Sequence, residues 1–274
     1  MELYRKILLS VVVLFCCMTA QAAHIDTLLV RSAKMDRDIE VLVVVPDRAI
    51  NGEAVPTLYL LHGAGDDAFG WLHIQPDLPQ MADKDGVLVV CPNGEQSWYW
   101  DSPLNPKSQF ETFVSTELVD YIDRKYPTIN DRRARAITGL SMGGQGSLWV
   151  AFHHKDVFGA AGSTSGGLDI RPFPDSWGMK KQLGSIEENR ERWDDYAMIN
   201  QIGRIENGEL ALIIDCGYQD FFYKVNCAFH EALLQHGIMH DFLVREGKHN
   251  HAYWRNSIRY QWLFFTRYFA QQKG

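Results

Sequence analysis

The chain is punctuated by short, almost uninterrupted apolar runs that alternate with longer amphipathic ones. Ile39 to Val45, Thr57 to Leu61, Val87 to Val90, Ala134 to Thr138, Leu210 to Ile214 and Phe242 to Val244 have the length and β-branched character of strands. Strands apolar at every position, rather than at alternate ones, need cover on both sheet faces. The cover is supplied by helical patterns between them: Phe110 to Tyr126, Gly146 to His154, Phe221 to Gln235 and Tyr253 to Gln271. Such β-α alternation predicts a mainly parallel central sheet flanked by helices. The opening segment, Thr27 to Val45, reads as an antiparallel hairpin at one edge. Leu168 to Glu206 breaks the rhythm with Pro172, Pro174, Trp177, Gly178 and a charged stretch from Glu187 to Tyr196. It predicts an insertion above the sheet between the sixth and seventh strands, serving as a lid, a substrate wall or a long helical crossover.

Composition permits a large core and narrows the classes of partner. Of 274 residues 46% are hydrophobic, which excludes wholesale disorder. The net charge of −7 has no long run of either sign, so no basic nucleic-acid footprint exists. At the N-terminus Arg5 and Lys6 precede the apolar stretch Ile7 to Met18, and Ala20-Gln21-Ala22 has the small-x-small form of a cleavage site. That order predicts a secretory signal peptide over residues 1–22 and a single domain over 23–274. The apolar run falls short of the about 20 residues a membrane span requires, so no stable membrane insertion is expected after cleavage, and the mature chain is expected to be secreted or periplasmic. Cys91, Cys216 and Cys227 remain, an odd number, and are expected to be small buried hydrophobes.

Gly139-Leu140-Ser141-Met142-Gly143 matches G-x-S-x-G with a strand before it and a helix after it, the context of a nucleophile elbow. Its glycines permit the tight turn that lifts a serine hydroxyl above the sheet. The amide of Met142, at the start of the helix, then faces any negative charge developing beside Ser141. A serine needs a base, and the base an acid. After Leu210 to Ile214 comes Asp215-Cys216-Gly217-Tyr218-Gln219-Asp220, and after Phe242 to Val244 comes Glu246-Gly247-Lys248-His249-Asn250-His251. Ser, Asp and His in that order, each past a strand's C-terminal end, is the arrangement of α/β-hydrolases. Asp220, further out and past Gly217, is favoured over Asp215, which abuts the strand. His249, on the Gly247 turn, is favoured over His251. Leu61-His62-Gly63-Ala64-Gly65 resembles the H-G-x-G loop that supplies a second oxyanion amide, here from Ala64, with His62 bracing the loop. His249-x-His251 could form half of a metal site, but no third ligand stands at convincing spacing, and His153-His154 lies on a helix. No metal or cofactor is expected.

These motifs, together with Ser97 to Pro103 (SWYWDSP), Glu111 to Val114 (ETFV) and the His249-Asn250 pair, resemble carbohydrate esterase family one. That family contains feruloyl and acetyl-xylan esterases and is similar to esterase D (S-formylglutathione hydrolase) and the mycolyltransferases. The resemblance spans nearly the whole mature chain and implies an α/β-hydrolase fold with Ser141, Asp220 and His249 as the triad. Many relatives carry H-N-W where this chain has His249-Asn250-His251, which changes the pocket wall there. Trp71, Trp98, Tyr99 and Trp254 fall on or near loops at the expected site edge and are the expected substrate-binding rings, for a phenolic acyl group or for sugar. With export added, the expected substrate is a feruloyl-type or acetyl ester, small or linked to plant cell-wall polysaccharide. Alternatives are an S-formylglutathione hydrolase-like or general short-chain esterase, and a non-catalytic binding protein on the same fold.

Overall fold

A computed structural model describes residues 23–272; segment 1–22, expected from the sequence to be a signal peptide, lies outside the described residues. Strands β1 (His24–Ser32) and β2 (Arg37–Val45) form the edge hairpin. Helix α1 (Asp47–Ile50) leads to β3 (Thr57–Leu61), and α2 (Gly70–Ile74) and α3 (Leu78–Asp85) lead to β4 (Leu88–Pro92). The next helix begins at Phe110, passes through a π-turn at Phe113–Glu117 and ends as α4 (Leu118–Lys125). Then follow β5 (Arg135–Gly139), α5 (Met142–His153), β6 (Ala160–Thr164), α6 (Met179–Leu183), α7 (Arg190–Tyr196), β7 (Ala211–Gly217), α8 (Tyr223–Gln235), β8 (Asp241–Arg245) and α9 (His251–Gln271).

The eight strands run in the order β1-β2-β4-β3-β5-β6-β7-β8. Only the β1–β2 and β2–β4 pairs are antiparallel; β3 to β8 and β4 are parallel neighbours. This is the α/β-hydrolase architecture. Consecutive side chains of one strand enter opposite cores, which accounts for the unbroken apolar runs. Val41, Val43 and Val45 of β2 join Tyr59, Ile137 and Phe152 on one side. Leu42 and Val44 join Leu58, Leu60 and the inner face of α9, through Trp262, Phe265 and Phe269, on the other.

The insertion between β6 and β7 is packed into the first core. Ile170, Met179, Leu183, Trp193, Met198 and Ile202 are buried there, and the Trp193 indole donates to the Gly184 carbonyl at 3.1 Å. Strand β6, Ala-Ala-Gly-Ser-Thr, lacks the bulky β-branched residues that mark a strand and is absent from the apolar runs read above. Its small side chains are required because helices press on both of its faces: a Cβ at Gly162 would stand 2.7 Å from Gln261 Oε1 of α9 and from Thr138 Oγ1 of β5, and one at Gly144 of α5 would stand 2.8 Å from Ser163 Oγ. Helix α5 starts at Met142, four residues earlier than its pattern suggests, because the three glycines hide its first turn. Cys91 and Cys216 are buried, Cys227 is half-buried, and all three are free thiols.

Candidate active site

At the C-terminal end of β5 the chain turns into α5 through Ser141, which holds φ 56° and ψ −118°, a conformation L-residues rarely adopt. Contacts around it dictate the neighbouring glycines. A Cβ at Gly139 would stand 2.5 Å from the Gly143 carbonyl oxygen and 2.6 Å from that of Leu61; one at Gly143 would stand 2.5 Å from the carbonyl oxygens of His62 and Leu61. Backbone therefore packs on backbone here, and no side chain fits. Gly63 lies against the elbow from the other side, its ideal Cβ 3.4 Å from that of Ser141.

The acid and base loops leave neighbouring strands β7 and β8, and the fold locks them together. Tyr218 N–H donates to the Arg245 carbonyl and Gln219 N–H to the Gly247 carbonyl, each at 3.0 Å. A Cβ at Gly217 would meet the Gly247 carbonyl oxygen at 2.4 Å, so the loops touch backbone to backbone. This brings three side chains into one line. His249 Nε2 lies 2.9 Å from Ser141 Oγ, and His249 Nδ1 lies 2.9 and 3.1 Å from Asp220 Oδ2 and Oδ1. The Asp220 side chain is fully buried, and its Oδ1 also accepts from the Phe222 N–H at 2.8 Å. Nδ1 thus donates to the carboxylate, leaving Nε2 with a lone pair toward the serine hydroxyl. Such a line can remove a proton from Ser141 and stabilise the imidazolium that results.

The duplicates are placed elsewhere. Asp215 is buried beneath the loops, paired with Arg245 and accepting from Ser257 Oγ at 2.6 Å. Burial pushes its carboxyl above the ordinary range, against the opposing pull of Arg245 and Ser257. His251 opens α9 at the cleft rim, with its ring 5.6 Å from that of Trp254. Asn250 caps that helix, its Oδ1 accepting from the Tyr253 N–H at 3.0 Å. His153 and His154 are half-buried, His153 against Trp149 and His154 Nε2 at 3.0 Å from Glu111 Oε1. No group of three or more His, Cys, Asp or Glu with metal-binding geometry occurs among the described residues.

Met142 is the first residue of α5, so its N–H is one of the amides a helix start leaves without an intrahelical partner. Ala64 lines the cleft that Ser141 and His249 share. His62 fixes the loop that carries Ala64: Nδ1 donates to the Gly63 carbonyl at 2.8 Å and Nε2 accepts from the Gly94 N–H at 2.8 Å. Burial holds His62 below its ordinary pKa, although the Gly63 carbonyl, Asp66 and Asp67 pull the other way. It is a neutral structural imidazole.

The family model named Esterase matches residues 32–264. The chain belongs to the Esterase family. It is an ester-hydrolysing enzyme. It is 23% identical over 257 residues to an acetyl esterase of Caldicellulosiruptor saccharolyticus, covering 85% of this chain and 95% of that protein. It is 35% identical over 140 residues to esterase Rv1288 of Mycobacterium tuberculosis, a match over 47% of this chain that spans only 29% of the longer relative. Among solved structures, a ferulic acid esterase superposes with a TM-score of 0.76 at 27% identity, over 90% of this chain and 100% of that one. An S-formylglutathione hydrolase of Staphylococcus aureus superposes with a TM-score of 0.77 at 23% identity, over 89% of this chain and 100% of that one, a likeness of fold.

The esterase's cleft beside Ser141 has a volume of about 340 Å³ and is walled by Gly63 to Asp66, Leu140, Trp177, His249, His251 and Trp254. Of the four rings expected to bind substrate, only Trp254 lines it. Trp71 is buried in the second core with its indole donating to the Leu61 carbonyl at 2.9 Å. Trp98 stacks on Trp100 and donates to the Trp177 carbonyl at 3.1 Å. Tyr99 is fully buried, its hydroxyl accepting from the His62 N–H at 3.1 Å. The expectation fails for these three because large rings close to a core are drawn into it; they brace the loops beneath the cleft. Trp177, not among the four expected rings, lines the cleft instead. It reaches the cleft from the insertion with φ 46°, followed by Gly178 at φ 73°. The only sequence signal for it was a Trp-Gly pair among prolines.

Proposed function

We propose that the protein is an exported serine esterase that works through an acyl-enzyme, with Ser141 as nucleophile, His249 as base and Asp220 as the acid that orients it. The hydrogen-bonded line Ser141–His249–Asp220, with 2.9 Å at each step, carries the reading. His249 Nε2 takes the Ser141 proton as Oγ attacks the ester carbonyl. The backbone amides of Met142 and Ala64 receive the developing oxyanion. His249 then returns the proton to the departing alcohol, and a water activated by the same imidazole releases the acid. None of these steps requires a metal or cofactor. The order of charged, apolar and small residues over positions 1–22 supports export.

The proposed substrate is an acetyl or feruloyl-type ester of plant cell-wall polysaccharide. A cleft at the small end of the ligand-pocket range supports a compact acyl group or a single ring, and the burial of Trp71, Trp98 and Tyr99 favours acetyl. Trp177 and Trp254 are the rings available to a substrate. Asp66, a carboxylate in the cleft wall, disfavours the anionic glutathione portion of an S-formylglutathione thioester. The test compares kcat/KM for p-nitrophenyl acetate, methyl ferulate and S-formylglutathione, using wild type and Trp177→Ala. Acetate cleaved best, with ferulate weaker and dependent on Trp177, is the expected order. Fast thioester cleavage with neither oxygen ester turned over would overturn the substrate assignment.

A further inference from the structure

Phe221 follows Asp220 directly in the chain and is 49% exposed. A ring left half in water contributes little to the core, so folding does not explain it. Its position does suggest a use. The Phe221 and His249 rings lie 4.2 Å apart at centroids, tilted by 36°. Trp177 stacks with Phe221 at 5.4 Å and 15°, which fixes the phenyl ring. Trp254 meets the imidazole edge-on at 4.9 Å, and Phe222 approaches it at 5.5 Å. Three aromatic rings therefore bound His249 while its two nitrogens remain free for Ser141 and Asp220.

We propose that Phe221 is a positioning residue for the ester-cleaving reaction, an inference that rests on the roles given above to Ser141, His249 and Asp220. Its ring prevents the imidazole from turning away from the Ser141–Asp220 line. Its π-face also lies within the distance at which a cation is attracted, so it favours the imidazolium that forms as Ser141 gives up its proton. The acid and the ring that steadies the base thus come from adjacent residues of one turn. Phe221 touches two walls of the cleft, Trp177 and His249, and acts through the second.

The test uses the full chain, p-nitrophenyl acetate, and a fluorophosphonate, whose phosphorus Ser141 Oγ attacks with loss of fluoride as the base takes the hydroxyl proton. Phe221→Leu is expected to lower kcat by about 2- to 30-fold, the span of a cation–π contact between exposed and desolvated settings. KM should stay near wild type, fluorophosphonate inactivation should slow by the same factor as kcat, and the urea midpoint should barely move. Phe221→Tyr should restore the rate. An unchanged kcat overturns the proposal. So does a rise confined to KM, which would make Phe221 a substrate contact, or a tyrosine variant no better than leucine. A wild-type protein that resists the fluorophosphonate, or a Ser141→Ala variant with undiminished turnover, overturns instead the nucleophile assignment beneath it.

Discussion

Replacing Ser141 by glycine should stabilise the protein relative to replacing it by alanine, the reverse of the usual order. Both changes delete the hydroxyl and its hydrogen bond to His249, so those losses cancel in the comparison. What differs is the backbone. At φ 56° and ψ −118° an alanine keeps the strain of the native serine, whereas glycine adopts this region freely. Strain of this kind costs on the order of 1–3 kcal/mol. Against it stands the greater freedom of glycine in the unfolded chain, about 0.4–1 kcal/mol. With the middle of each range, Ser141→Gly exceeds Ser141→Ala by roughly 1.3 kcal/mol. For a chain of this size that corresponds to a melting difference of about 2–5 °C. The assay is equilibrium urea unfolding of both inactive variants, read by tryptophan fluorescence, with the slopes checked for equality. If the alanine variant is the more stable by the ordinary few tenths to one kcal/mol, the elbow stores no strain and the reasoning fails.

Two further perturbations separate residues that look alike in the sequence. Asp220→Asn should cut kcat by about 10⁴ with little loss of stability, since the imidazole loses its partner; Asp215→Asn should instead cost stability, about 3–5 kcal/mol if Arg245 is left as an unpaired buried charge. Parallel measurement of kcat and urea midpoint decides, and the opposite pattern would exchange their roles. His62 is held below its ordinary pKa, so the unfolded chain takes up its proton first as pH falls. The contribution is complete above the unfolded value of about 6.5 and is lost as pH drops through the lower folded value. Wild type should therefore lose urea resistance between neutral and mildly acidic pH more steeply than His62→Gln, and equal slopes would refute this.

What could be read from the sequence was what local chemistry dictates. Unbroken valine and leucine runs require a covered sheet, and Gly139, Gly143 and Gly144 around one serine require a tight strand-to-helix turn. Asp220 and His249 could be singled out because each lies past a strand end on a loop long enough to cross to its neighbour. Features set by contacts between distant segments were not legible. Strand β6 is made of alanine, glycine, serine and threonine because α5 and α9 press on it, and nothing within those five residues says so. Trp98 and Tyr99 sit on loops in the sequence but are pulled under them by Trp100 and His62. Trp177 reaches the cleft by a left-handed turn that depends on Trp98 holding its carbonyl.

The mounting of Trp177 bears on how substrate preference can change in descendants of this chain. Its ring contacts Trp98, Phe173, Phe221 and Phe222, and the segment that carries it is nailed into the core by Met179, Leu183 and Trp193. A mutation that redirects this wall must disturb several packed rings at once, so its fitness cost comes as lost folding before any gain in selectivity. Ala64 and His251, half-buried or exposed at the cleft edge, carry no such burden. New preferences are thus expected to arise first at the rim, with the tryptophan inherited unchanged beneath them.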